Sequence, residues 1–161
     1  MMKRISRIIS YVFENLSVIF LVCVLTTVVL QVFFRYVARI IVPWTEEAAR
    51  YFCIWMVFMG VVAAVAQESH IKITFLVERI PATAKNVFSL LSFGIVFIFN
   101  VIILLGSIDL VRLNWGQEAV TFPLSVGILY LAITVSSAPI LILLILIIAG
   151  RLRTMLGSGE T

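Results

Sequence analysis

Aspartate, glutamate, lysine, arginine and histidine are absent from four stretches of this chain: residues 15–34, 51–67, 86–108 and 119–150. Between them the polar residues crowd into short segments. A hydrocarbon core about 30 Å thick needs roughly 20 apolar residues in a helix. The first and third stretches meet that length directly. The second has 17 residues and reaches it once its helix starts among the preceding glutamates. The fourth, at 32 residues, exceeds one straight span. Pro123 suits a helix first turn, and Pro139, after Ser136 and Ser137, could kink the helix. The pattern therefore predicts an all-α integral membrane protein. It has four transmembrane helices over about residues 11–35, 45–67, 84–108 and 123–149, in a single membrane domain spanning 1–161.

The segments between the spans carry weaker periodicities. Ile5, Ile8, Ile9, Val12, Phe13 and Leu16 recur at helical spacing, with a polar stripe of Ser6, Ser10, Glu14 and Ser17 beside them. The first helix thus begins as an amphipathic segment near the headgroups, with Lys3, Arg4 and Arg7 toward anionic lipid. Glu14 either snorkels to water there or meets a partner protein. Arg35 and Arg39 share a face if their segment is helical. Ile73, Leu76, Val77 and Ile80 predict a short helix along the membrane surface, stopped by Pro81. A strand-like alternation of Ile71, Ile73 and Phe75 competes with it. Asp109 and Arg112 can pair locally. Trp44, Tyr51, Trp115 and Phe122 suit the interfacial aromatic belts. No internal repeat or interdomain linker is evident.

Composition strengthens the membrane reading. Of 161 residues, 63% are hydrophobic and 12% charged, with a mean hydropathy of +1.20. Soluble domains average roughly 45–50% apolar. The net charge of +4 matters less than its placement. With four spans, the termini and the middle loop share one side, which holds eight basic residues: Lys3, Arg4, Arg7, Lys72, Arg79, Lys85, Arg151 and Arg153. The other side holds four: Arg35, Arg39, Arg50 and Arg112. The positive-inside rule then puts both termini in the cytoplasm, PWTEEAAR on the outer face and His70 on the inner. The first span is too long for a signal-peptide core, and no cleavage site clearly follows it. Cys23 and Cys53 fall inside spans without a CxxC neighbour, and read as small buried hydrophobes.

Candidate chemistry is sparse. Ionisable groups at mid-membrane are costly and usually functional; Glu14, Arg35 and Asp109 all stand at span edges instead. Asn100 lies well inside the third span, where its amide requires a partner, either on another helix or on a ligand. Glu46 and Glu47 are adjacent, so a helix separates them by roughly 100°. They precede Arg50 by four and three residues in the favourable acid-first order. They also follow Thr45, a candidate N-cap, where negative charge suits the helix dipole. A helix start explains TEEAAR without catalysis. His70 is the sole histidine, so a zinc site is not indicated. There is no phosphate loop, nucleophile motif or basic–aromatic patch for nucleic acid. Gly60 and Ala64, with Ala63 and Ala66 nearby, allow close helix approach, within the chain or to another. Trp55 sits roughly 15 Å below Thr45, where its indole N–H wants an acceptor.

The ordered set Arg35, Trp44, Glu46, Glu47, Trp55, Gly60, His70, Ile71, Ile80 and Pro81 covers about 47 residues. It resembles the small membrane subunit, DctQ type, of tripartite ATP-independent periplasmic (TRAP) transporters. Two positions depart from the family habit. AQES precedes His70 where basic residues are common, and Thr74 stands where an aspartate is. The resemblance implies an accessory subunit in a bacterial inner membrane. It would brace a large elevator subunit that holds the substrate and Na⁺ sites, with no cofactor, metal or substrate site in this chain. It also implies a transient periplasmic binding protein delivering an organic acid such as a C4-dicarboxylate or sialic acid. Arg35, Arg39, Trp44, Glu46, Glu47 and Arg50 become candidates for the docking surface of that protein. Trp55, Gly60, Ala64 and Asn100 become candidates for packing on the large subunit, and His70 a motif residue of unassigned role. Two other classes share the layout. A small four-helix drug exporter needs a carboxylate in its membrane cavity, for which only Glu14 is available. A membrane assembly protein without transport would have no large partner.

Overall fold

The computed structural model describes residues 2–68, 82–121 and 123–157. It consists of four helices: α1 (Met2–Tyr36), α2 (Pro43–Glu68), α3 (Ala82–Asn114) and α4 (Gly127–Gly157). Each contains a segment long and apolar enough to cross a membrane: Ser6–Tyr36, Pro43–Gln67, Leu91–Asn114 and Gly127–Gly150. Helices are the expected answer for such stretches. Hydrocarbon offers no hydrogen bonds, so a spanning backbone must satisfy its own donors and acceptors. Among the described residues there is no sheet. The sole β feature is an isolated antiparallel bridge between Glu118 and Ser125. The predicted surface helix over 73–80, Pro81, His70 and Phe122 lie outside the described residues.

The helices pack in the order α1, α2, α4, α3, with only slight contact between α1 and α4. A cluster of buried side chains joins the middle pair: Val62 and Ala66 from α2, and Ile140, Leu143 and Leu144 from α4. Phe13 of α1 and Phe97 of α3 close over it from either side. Pro139 lies inside α4. The ring removes one backbone donor from the helix. Just upstream, the buried Ser136 and Ser137 hydroxyls both donate to the Ile133 carbonyl, at 2.9 and 2.8 Å.

The connections differ from the sequence reading. Helix α1 stops at Tyr36, so Arg39 does not continue the face of Arg35. The amides of Val37 and Ala38 both donate to the Phe33 carbonyl, at 2.9 and 3.3 Å. Ile40 reaches Phe34 at 3.0 Å. Arg39 itself takes a left-handed conformation, φ 54°. A tight turn thus absorbs the orphan carbonyls of the helix end. Pro123 is likewise not in a helical first turn, because α4 begins at Gly127. Residues 117–121 and 123–126 come back alongside each other first, with Ala119 donating to Leu124 and Val126 to Gln117, each at 2.8 Å. Cys53 is exposed on α2 and Cys23 partly so, rather than fully buried; neither forms a disulfide.

Candidate functional site

The segment PWTEEAAR opens α2, with Pro43 as its first residue. Proline is favoured there because its missing N–H would have no helical partner anyway. Thr45 therefore lies inside the first turn and is not the N-cap. Its hydroxyl is fully buried and donates back to the Val42 carbonyl at 2.7 Å.

Glu46 and Glu47 do different work, as their angular separation requires. Glu46 is exposed and forms an ion pair with Arg50 at 4.0 Å. Glu47 turns to the α3–α4 connection. It accepts the amide of Val120 at 3.1 Å and that of Thr121 at 2.8 Å, and the Thr121 hydroxyl also donates to it. Two adjacent amides presented to one carboxylate give charge-assisted bonds, stronger than their neutral counterparts. One turn further along α2, Tyr51 is 6% exposed. It is thus buried under the connection rather than placed in an aromatic belt. Its hydroxyl donates to the Ser125 carbonyl at 3.3 Å.

Ser125 is the other anchor of this end. Its hydroxyl donates to the Trp115 carbonyl at 2.7 Å and accepts the Gly127 amide at 3.0 Å, capping α4. Gly127 has to be small here. A Cβ would sit 3.0 Å from Trp115 Cε3 and 3.2 Å from Trp115 Cα. Arg35, Arg39, Trp44 and Arg50 are exposed around this assembly. Among the described residues, Glu46–Arg50 is the only ion pair, so Asp109 and Arg112 do not close theirs. Replacing Glu47 with glutamine should remove the charge from the clamp. The amides of Val120 and Thr121 should then exchange with deuterium roughly tenfold faster, with buried α2 amides unchanged. Unaltered exchange would dismiss the clamp.

At the opposite end, the polar stripe of α1 lies along α2. The Ser6 hydroxyl donates to the Ala66 carbonyl at 2.9 Å, and that of Ser17 to Met56 at 3.0 Å. The Gln67 amide donates to Glu14 at 3.2 Å and to Ser10 at 3.4 Å. Glu14 is thus tied to the end of α2, just before the charge-free run and not within it, where an exporter would need its carboxylate. Helical spacing revealed the stripe but not its partners, since two of them are backbone carbonyls.

The packing candidates separate. Gly60 faces α1 within the chain, where a Cβ would lie 3.2 Å from Ser17 Oγ. The Trp55 ring packs at a tilt of 32° against Phe20 of α1, with centroids 5.7 Å apart. Ala64 is exposed, so it does not share the interface of Gly60; Ala63 and Ala66 are buried instead. Asn100 is 9% exposed, and its Oδ1 has no hydrogen-bond partner among the described residues. The interhelical bond expected of it is made elsewhere, by Thr134 of α4 donating to Ser107 of α3 at 2.9 Å.

Comparison with known proteins agrees with this geometry. Residues 4–156 match the family described as tripartite ATP-independent periplasmic transporters, DctQ component. A Haemophilus influenzae protein described as a TRAP transporter small permease is 30% identical over 132 residues, covering 82% of each chain. The Vibrio cholerae sialic acid TRAP transporter small permease SiaQ is 25% identical over 123 residues, 76% of this chain and 68% of its own. The Oleidesulfovibrio alaskensis isethionate TRAP transporter permease DctMQ is 28% identical over 120 residues. These are 73% of this chain but 19% of that one. A match along nearly the whole length, on four membrane-spanning helices, makes this chain a member of the DctQ family, the small membrane subunits of TRAP transporters.

Proposed function

We propose that the chain is the accessory subunit that braces the large membrane subunit of a TRAP transporter in a bacterial inner membrane. Both termini face the cytoplasm. The transporter takes up a small organic acid delivered by a periplasmic binding protein, with Na⁺ coupling and substrate selection in the large subunit. The full-length family match carries this reading. The DctMQ relative supports the partnership, because its matching segment is part of a far longer permease chain. Relatives named for sialic acid and for isethionate both align with about three quarters of this chain, which fits selection of the solute by another part of the transporter. Purification from the native membrane in mild detergent should recover a large multi-span protein with this chain. Recovery of the chain alone would reject the assignment.

The end of the bundle that carries Trp44 is the docking surface for the binding protein. Arg35, Arg39, Glu46 and Arg50 are exposed there beside the connection that Glu47 holds. Because Glu47 also holds its own chain together, reversing its charge would confuse docking with folding. The informative variant is Glu46→Lys with Arg35→Glu. Uptake should fall several-fold at low ionic strength with the complex intact, since rim charges govern encounter rate more than cohesion. Unchanged uptake at both low and high salt would remove these residues from the surface.

A further inference from the structure

We infer that the cleft between the start of α1 and the end of α2 binds the headgroup of a phospholipid carrying both a phosphate and a protonated primary amine. The cleft has a volume of about 310 Å³. Arg7, Ser10, Tyr11, Glu14 and Gln67 line it. On α1, Arg7, Tyr11 and Glu14 stand four and three residues apart, so they project from one face. Arg7 and Glu14 are two turns apart, a rise of about 10.5 Å.

Depth places this cleft among headgroups. The apolar segment Ser6–Tyr36 has 31 residues. At 1.5 Å per residue it is about 46 Å long, against about 30 Å of hydrocarbon. The excess has to lie in the headgroup layers. The charge-free run begins only at residue 15, and its 20 residues already span the hydrocarbon, so the Arg7–Glu14 turns lie in the excess. Lipid is therefore the solvent that fills the cleft.

Charge selects among lipids. Among the described residues, Arg7 has no ion pair, and its guanidinium is free to take two phosphate oxygens. The exposed Tyr11 hydroxyl is a second donor beside it. Glu14 is the opposite pole. Its carboxylate is held by Gln67 at 3.2 Å and keeps acceptor positions open. A primary ammonium supplies N–H donors to Glu14 and to the Ser10 hydroxyl. A quaternary choline has none, and a glycerol headgroup would leave Glu14 facing a net anion with no cation between.

The test uses the full chain in detergent micelles doped with equal amounts of phosphatidylethanolamine and phosphatidylcholine, read by native mass spectrometry. The wild-type chain should retain the ethanolamine lipid roughly five- to tenfold over the choline lipid. Glu14→Gln should bring that ratio close to one. Arg7→Gln should lower retention of both lipids together. Circular dichroism should show wild-type helicity for both variants, and a variant that loses helicity is replaced by Glu14→Asp or Arg7→Lys, which should keep the selectivity in weakened form. Three results would each overturn the proposal: no preference in the wild-type chain, an unchanged ratio in Glu14→Gln, or phosphatidylglycerol retained as well as phosphatidylethanolamine when it replaces the choline lipid.

Discussion

Substituting leucine for Gly60 should lower the thermal midpoint of the purified protein, because Gly60 lies on the face of α2 that packs on α1. The effect should be about 1–3 kcal/mol. Gly60 sits opposite Ser17, and even a Cβ would approach Ser17 Oγ to 3.2 Å. A leucine adds three carbons beyond that point. They must displace α1, and with it the Ser17–Met56 hydrogen bond and the tilted ring contact of Phe20 with Trp55. In lipid the displaced helix finds apolar surroundings anyway. What is lost is close packing and hydrogen bonding rather than exclusion from water. Gly60→Ala should be milder. Adding Ser17→Ala to it should recover most of the loss, because the atom that the new methyl meets is then gone. A double variant no better than the single would place the strain elsewhere.

The second large effect is expected at Leu144. It is 1% exposed in the cluster between α2 and α4. Truncation to alanine leaves a void that neighbours on two helices can only partly fill. The cost should be about 2–3 kcal/mol. Ile142, on the same helix, is 52% exposed. Ile142→Ala should change the midpoint little, because lipid or detergent fills the space. Equal losses at the two positions would mean that the cluster does not hold the bundle together.

The number and character of the helices were legible because lipid forces a simple code: a long charge-free run becomes a helix. Their ends were less legible. Nothing in the residue types after Asn114 shows that Ser125 caps α4 while Glu47, some 74 positions away, holds Thr121. The glutamate pair was recognised as a helix start, and angular separation ruled out a shared site. Which glutamate faced solvent depended on where another connection passed. Asn100 was singled out correctly as a costly buried amide, yet the hydrogen bond expected there is made by Ser107 and Thr134. Sequence marked the polar group but could not say which polar neighbour lay opposite. The α1 stripe was visible for the same reason that its partners were not. Serines differ from their neighbours, whereas every residue of α2 has a carbonyl.

The packing order α1, α2, α4, α3 has a consequence of its own. Helices arranged around a centre enclose a lumen, and a solute can be handed along it. Helices standing in file form a palisade, which has two broad sides and two edges but no inside. What a palisade offers is a long flank that stays in register over the full thickness of the bilayer. The large membrane subunit that the family implies can lie against that flank along its whole length.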